Sequence, residues 1–127
     1  MTTAPARDIA AERAGIDQAV AGQTIPGLFK AIVEQHANEE ALTWGTGEQR
    51  QALTWTQYRE RVRDAAMGLR RLGFRSGEFG LMMARNRPEH LIADLGITHA
   101  GGSAVSVYNT LAPEQIAYIA NHCSATI

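Results

Sequence analysis

A chain of 127 residues is long enough to bury one core and too short for two, since a domain of this size removes about two thirds of its unfolded surface from water. Twelve basic against thirteen acidic residues, interleaved along the chain, exclude the clustered basic excess that a phosphate backbone demands, so no nucleic-acid partner is expected. The single cysteine, Cys123, leaves no internal disulfide and no thiolate metal cluster, and no run approaches the ~20 apolar residues of a membrane span; the expectation is a cytoplasmic protein with no transmembrane segment.

Residues 1–23 are rich in alanine but carry Asp8, Glu12 and Asp17 and lack the apolar stretch of a signal peptide. Ile9, Ile16 and Val20 are too sparse to define a helical face, so this segment is expected to be a flexible lead-in to an ordered region spanning 24–127. From Thr24, a helix cap, Ile25, Leu28, Phe29, Ile32 and Val33 recur at the spacing that lines one side of a helix, and that stripe must be buried. The repeated Ala41-Leu42-Thr43-Trp44 and Ala52-Leu53-Thr54-Trp55, separated by the polar Gly45–Gln51, predict a β-hairpin with both tryptophans packed on one face. Thr56 is then placed to cap a longer helix with Tyr58, Val62, Ala65, Ala66, Leu69 and Leu72 inward and Gly73 as its stop.

The second half changes rhythm. Phe79 to Ala84 is a short apolar run without alternation, as expected of a strand covered on both faces. A helix follows from near Pro88, with Asn86 and Glu89 spaced as a capping box, Leu91, Ile92 and Leu95 inward, and Gly101-Gly102 at its end. Ala104 to Tyr108 is the next strand, Pro113 opens a helix carrying Ile116, Ile119, Ala120 and Cys123, and Ala125-Thr126-Ile127 starts a third strand. Strands alternating with helices over such short connections predict parallel pairing with right-handed crossovers. The expected fold class is α/β: a partial doubly wound parallel sheet with flanking helices and an N-terminal β-hairpin, ending within its last strand as a truncated part of a larger domain.

In such sheets ligands gather beyond the carboxyl ends of the strands, which selects Arg85 and Asn86 after the first parallel strand and Tyr108, Asn109 and Thr110 after the second as candidate substrate-binding residues. Their bland roles are a helix cap for Asn86 and a turn before Pro113 for Asn109-Thr110. No catalytic residue and no metal ligand is assigned: His36, His90, His99 and His122 show no i,i+4 pair, and Cys123 reads as a buried, inert thiol. Gly45-Thr46-Gly47 has Arg50 where a nucleotide loop needs its third glycine.

The succession Gly73-Phe-Arg-Ser-Gly-Glu-Phe-Gly-Leu-Met-Met-Ala-Arg-Asn86, Arg87-Pro-Glu-His90, Ala93-Asp94-Leu95, Ala100-Gly101-Gly102, Val107-Tyr108-Asn109-Thr110 and Pro113-Glu-Gln-Ile116, preceded by Leu53-Thr54-Trp55-Thr56-Gln57-Tyr58, resembles the N-terminal subdomain of adenylate-forming enzymes, and within them fatty acyl-CoA synthetases. The resemblance covers about residues 24–127, and departs from the family at Gly77-Glu78-Phe79-Gly80, where the family has Gly-Asp, a basic residue and an aliphatic run. It implies a parent enzyme that uses ATP with magnesium to turn a fatty acid or other carboxylate into an acyl-adenylate, and then coenzyme A to form the thioester. The family's Ser/Thr/Gly-rich phosphate loop, metal-associated glutamate and C-terminal lysine find no counterpart in this chain, whose one lysine is Lys30. The chain is therefore expected to be inactive alone and to bind none of these cofactors by itself. The alternative is a non-catalytic binding module of the same fold that forms homo-oligomers through an unpaired sheet edge. An unrelated receiver-like or flavin-binding domain is disfavoured, because no acidic cluster or phosphate loop follows a strand.

Overall fold

The computed structural model describes residues 8–127, and its first element departs from the sequence expectation. Ile9–Val20 is a helix, α1, because Asp8 accepts hydrogen bonds from the Ala10 and Ala11 amides at 3.1 Å and the alanine-rich sequence costs little to wind. α1 buries none of its residues. The second helix, α2 (Ile25–His36), starts as expected, with the Thr24 hydroxyl accepting from the Gly27 amide at 3.1 Å. Only Phe29 and Val33 of its stripe are buried; Ile25, Leu28 and Ile32 are exposed, since no other described element lies over that side of the helix.

Strands β1 (Glu40–Trp44) and β2 (Gln51–Thr54) form the antiparallel hairpin, and across it the Arg50 guanidinium hydrogen-bonds the Glu40 carboxylate and holds it below its ordinary range. The tryptophans do not share a face. Trp55 is instead the first residue of α3 (Trp55–Arg71), whose cap is Thr54 rather than Thr56: the Thr54 hydroxyl accepts from the Gln57 amide while the Gln57 side chain accepts from the Thr54 amide. The Thr56 hydroxyl turns to the Ala37 carbonyl at 2.9 Å, tying the start of α3 to the end of α2. Gly73 stops α3 at φ +95°, with its amide donating to Arg70 O and the Phe74 amide to Leu69 O, a Schellman closure that leaves Leu72 exposed instead of inward.

Strand β3 (Phe79–Met82) pairs in parallel with β4 (Ser103–Ser106), joined by α4 (Pro88–His99). Both strands are shorter than the sequence predicts. α4 packs along α3 and covers one face of the pair, burying Gly80 and Met82; Phe79 and Met83 stay 39% and 56% exposed, so β3 is covered on one face only. The cap of α4 is Arg87, not Asn86, because the Arg87 guanidinium reaches Glu89 and occupies the carboxylate that a capping box would use. Leu91 is 46% exposed, while Ile92 and Leu95 pack inward. α5 (Pro113–His122) buries none of its residues, and Cys123 is half-buried. The expected third strand is present as two bonds: the Thr126 amide donates to Phe79 O at 3.0 Å and the Leu81 amide to Ile127 O at 2.9 Å. These are the β3 groups that point away from β4, so β3 lies in the middle.

Two clusters hold the molecule together. Phe29, Val33, Tyr58 and Val62 join α2 to α3, with Ile92 and Leu95 of α4 against them; Phe74, Met82, Ile97 and Ala100 join α4 to the parallel pair. In the first, the Tyr58 hydroxyl donates to Leu91 O at 3.2 Å, and burial, aided by the Asp94 charge, pushes its pKa up to about 12.

α5 closes with the same Schellman bonds as α3, from Ser124 to Asn121 O and from Ala125 to Ala120 O, but its left-handed residue is Ser124 at φ 52°. Ser124→Gly is therefore expected to stabilise the protein by about 0.5–1 kcal/mol, by relieving the strain of a Cβ at positive φ, and Ser124→Val to destabilise it, because a β-branched side chain is strained further there. Urea unfolding midpoints check the two directions.

Candidate functional site

The chain leaves β3 toward one side, through α4 into β4, and then returns through α5 across β3 to its opposite edge. The connections thus diverge between the carboxyl ends of β3 and β4, the position at which doubly wound sheets open a crevice. A crevice of about 570 Å³ lies there, lined by Ala84, Arg85 and Asn86 after β3, by Ser106, Val107, Tyr108 and Asn109 from the end of β4, and by His90 from the first turn of α4.

Four of the five candidate residues meet in this crevice; Thr110 does not line it. Asn109 and Thr110 occupy the centre of a turn closed by the Leu111 amide on Tyr108 O at 3.2 Å, which orients Asn109 and leaves Thr110 outside. Asn86, released from capping, also borders a small cleft beside Trp44 and Leu91. Arg85 has no carboxylate partner among the described residues, whereas nearby Arg87 is held by Glu89, whose carboxyl is drawn below its ordinary range by its own backbone amide and then by Arg87. The charge left for a ligand is that of Arg85.

His90 joins the crevice without belonging to the five residues that the strand ends select. Its signal was positional: it falls in the first turn of the helix that follows β3, where its Nε2 shares a hydrogen bond with Ser106 Oγ at 3.1 Å across the two strand ends. Among the described residues no third group hydrogen-bonds this imidazole, so the pair lacks the arrangement that activates a serine. The lining holds one guanidinium, three hydrogen-bonding side chains from loops, a Ser–His pair and no carboxylate, which suits binding of an anionic or polar group rather than reaction.

Among the described residues no group of three potential metal ligands occurs, and no helix is long and apolar enough to cross a membrane. Comparison with known proteins matches residues 29–127 to the family described as AMP-binding enzyme. A long-chain-fatty-acid–CoA ligase of Xenopus laevis is 36% identical over 104 residues, which are 82% of this chain and 14% of that protein. An uncharacterized protein of Mycobacterium tuberculosis is 39% identical over 77 residues, 61% of this chain and 44% of its own length. The N-terminal subdomain of Klebsiella oxytoca NpsA superposes with a TM-score of 0.74 at 18% identity, covering 81% of this chain and 26% of that one. The fatty acid AMP ligase of Legionella pneumophila gives 0.74 at 18% identity over 85% of this chain and 19% of its own. The chain thus spans a small fraction of the ligases it matches, with the fold of the N-terminal subdomain of adenylate-forming enzymes. With the family match running from Phe29 to Ile127 through every crevice residue, the chain belongs to the AMP-binding, adenylate-forming enzyme family.

Proposed function

We propose that this chain is the N-terminal part of an ATP-dependent fatty acyl-CoA ligase, in which a fatty acid carboxylate attacks ATP, pyrophosphate leaves, and the thiol of coenzyme A then displaces AMP from the acyl-adenylate. The observation that carries the reading is the position of the crevice: Arg85, Asn86, Tyr108 and Asn109 stand at the switch point of a sheet whose sequence matches long-chain-fatty-acid–CoA ligases. The residues present do not fit ATP with magnesium. Lys30, the one lysine, lies in α2 beside Glu34, no glycine-rich loop cradles phosphates, and the crevice has no carboxylate for a metal. Nucleotide, metal and coenzyme A chemistry therefore belongs to the rest of the parent enzyme, and the role of this chain is to wall the site and to present Arg85 to a negatively charged substrate group. A cytoplasmic setting is part of the proposal and draws support from the lone thiol, Cys123.

The test is ATP–pyrophosphate exchange with fatty acids of graded length, on this chain alone and on a chimera in which residues 24–127 replace the matching segment of the Xenopus ligase. The chain alone is expected to show no exchange. The chimera is expected to show exchange with long-chain acids, and Arg85→Ala in it is expected to cost about tenfold in kcat/KM, the loss of one charge-assisted contact. Turnover by the chain alone at verified mass, or a folded but inert chimera, would refute the proposal.

One observation favours a second reading. The Mycobacterium relative is itself short, since 77 matched residues are 44% of it, so small proteins carrying this segment exist. A non-catalytic module that associates through the outer edge of β4 and the open face bearing Phe79 and Met83 answers to that fact. Concentration-dependent dimers in sedimentation would favour it.

A further inference from the structure

α1 presents an unsolved packing problem. A helix of twelve residues is marginal in water by itself, yet α1 buries nothing, and its three large apolar residues, Ile9, Ile16 and Val20, are 75%, 62% and 55% exposed. Their spacing of seven and four residues puts them within about 40° of one another, on a seam roughly 16 Å long. Asp17 flanks the seam on one side and Glu12 on the other, with Arg13 the one base beside it.

A second unfilled surface begins just past the end of α1. Between α2 and α3 runs an apolar groove of about 580 Å³ that starts at Pro26, has Val62, Ala66 and Met67 on its floor, and carries Lys30, Arg59 and Arg63 on its rim. Among the described residues Arg59 has no carboxylate partner, Lys30 meets only the exposed Glu34 at 3.8 Å, Arg63 is held by its neighbour Asp64 at 3.1 Å, and Glu60 is the one acid in the lining. The two surfaces are complementary: an apolar seam flanked by Asp17 matches an apolar groove whose rim carries Lys30 and Arg59.

They are also tethered. Only Ala21–Thr24 separates the helices, and Gly22 there sits at φ +74°, a backbone position that rotates without a Cβ penalty. A four-residue tether gives α1 an effective concentration at the groove in the millimolar range or above, so a weak contact suffices. We propose that α1 is a hinged strap that closes over the α2–α3 groove of its own chain, laying Ile9, Ile16 and Val20 on Val62, Ala66 and Met67 with Asp17 against the Lys30 and Arg59 rim. The structure shows the open arrangement. Closure covers the apolar groove beside the first core cluster and gives α1 the partner that its stability requires. It is independent of the proposed ligase role.

The test is disulfide trapping in the full chain with Cys123→Ser. Ile16→Cys with Met67→Cys, two exposed positions, is compared with Ile16→Cys paired with Tyr118→Cys on α5, which is 68% exposed and away from the groove. Under mild oxidation at low micromolar protein, the first pair is expected to form an intrachain bond in the monomer at least about tenfold faster than the second. Equal rates, or a first-pair bond found only between two chains, would overturn the proposal, the latter assigning the groove to the α1 of a second copy.

Discussion

Phe29→Ala is expected to lower the free energy of unfolding by about 3–5 kcal/mol. The ring is 7% exposed and stands where three helices meet: it makes an edge-on contact with Tyr58 of α3 at 5.2 Å, another with His99 of α4 at 5.4 Å, and a tilted one with Trp55 at 6.2 Å between ring centroids. Each such pair is worth about 0.5–1.5 kcal/mol beyond the area it buries. The void cannot collapse easily, because Trp55 and Tyr58 are fixed on the first turn of α3 by the Thr54–Gln57 capping box and Tyr58 is held by Leu91 O. Since a domain of this size has about 5–15 kcal/mol in all, the loss removes about a third to a half of a stability near the middle of that range. Leu28→Ala, the neighbouring residue at 49% exposure, is the control, with an expected loss below about 1 kcal/mol. Equal shifts of the two urea midpoints would show that α2 is not anchored through Phe29.

The contrast between Phe29 and Leu28 also shows where the sequence was readable and where it was not. Periodicity marks the apolar side of an element, and it located α2, α3, α4 and α5 with the right strands between them. It does not say whether the matching surface is present. Ile25, Leu28 and Ile32 on α2, Leu91 on α4 and Phe79 on β3 all read as inward and are exposed. Caps were legible only where one residue had no rival: Thr24 was clear, but Thr54 and Thr56 are both good caps, and the choice fell to Thr54 because Gln57 could answer it. The Asn86–Glu89 box failed for the same kind of reason, as Arg87 offers Glu89 a charged partner. The crevice was largely predictable, because strand ends follow from strand positions; His90 carries a positional signal in the first turn of the helix after β3, but its hydrogen bond to Ser106, sixteen residues away, is not legible in the sequence.

Gly102→Ala is expected to cost about 2–3 kcal/mol, from overpacking rather than from backbone strain. The two glycines after Ala100 read in sequence as a helix stop, and the structure separates their duties. Gly101, at φ +86°, is the left-handed residue that closes α4, its amide donating to Thr98 O and the Gly102 amide to Ile97 O at 3.0 Å. Gly102 lies elsewhere in backbone space, and what it supplies is emptiness: a Cβ there would overlap the Phe74 ring edge and come within 2.7 Å of Glu78 O. Neither neighbour can retreat. Phe74 is 4% exposed in the second core cluster, and Glu78 O accepts the Ser103 amide at 2.9 Å, the bond that sets β4 against β3. The added methyl must therefore either push the ring into Met82 and Ile97 or loosen the first rung of the parallel pair. The second route frays the ladder from its amino end, at Phe79 and Ser103, toward its carboxyl end at Met82 and Ser106. Amide exchange distinguishes the routes: accelerated exchange at Ser103 and Val107 marks a loosened ladder, whereas protection there with a lowered urea midpoint confines the damage to the core. An unchanged midpoint would show that the close approach of Phe74 to this turn is not required for the fold.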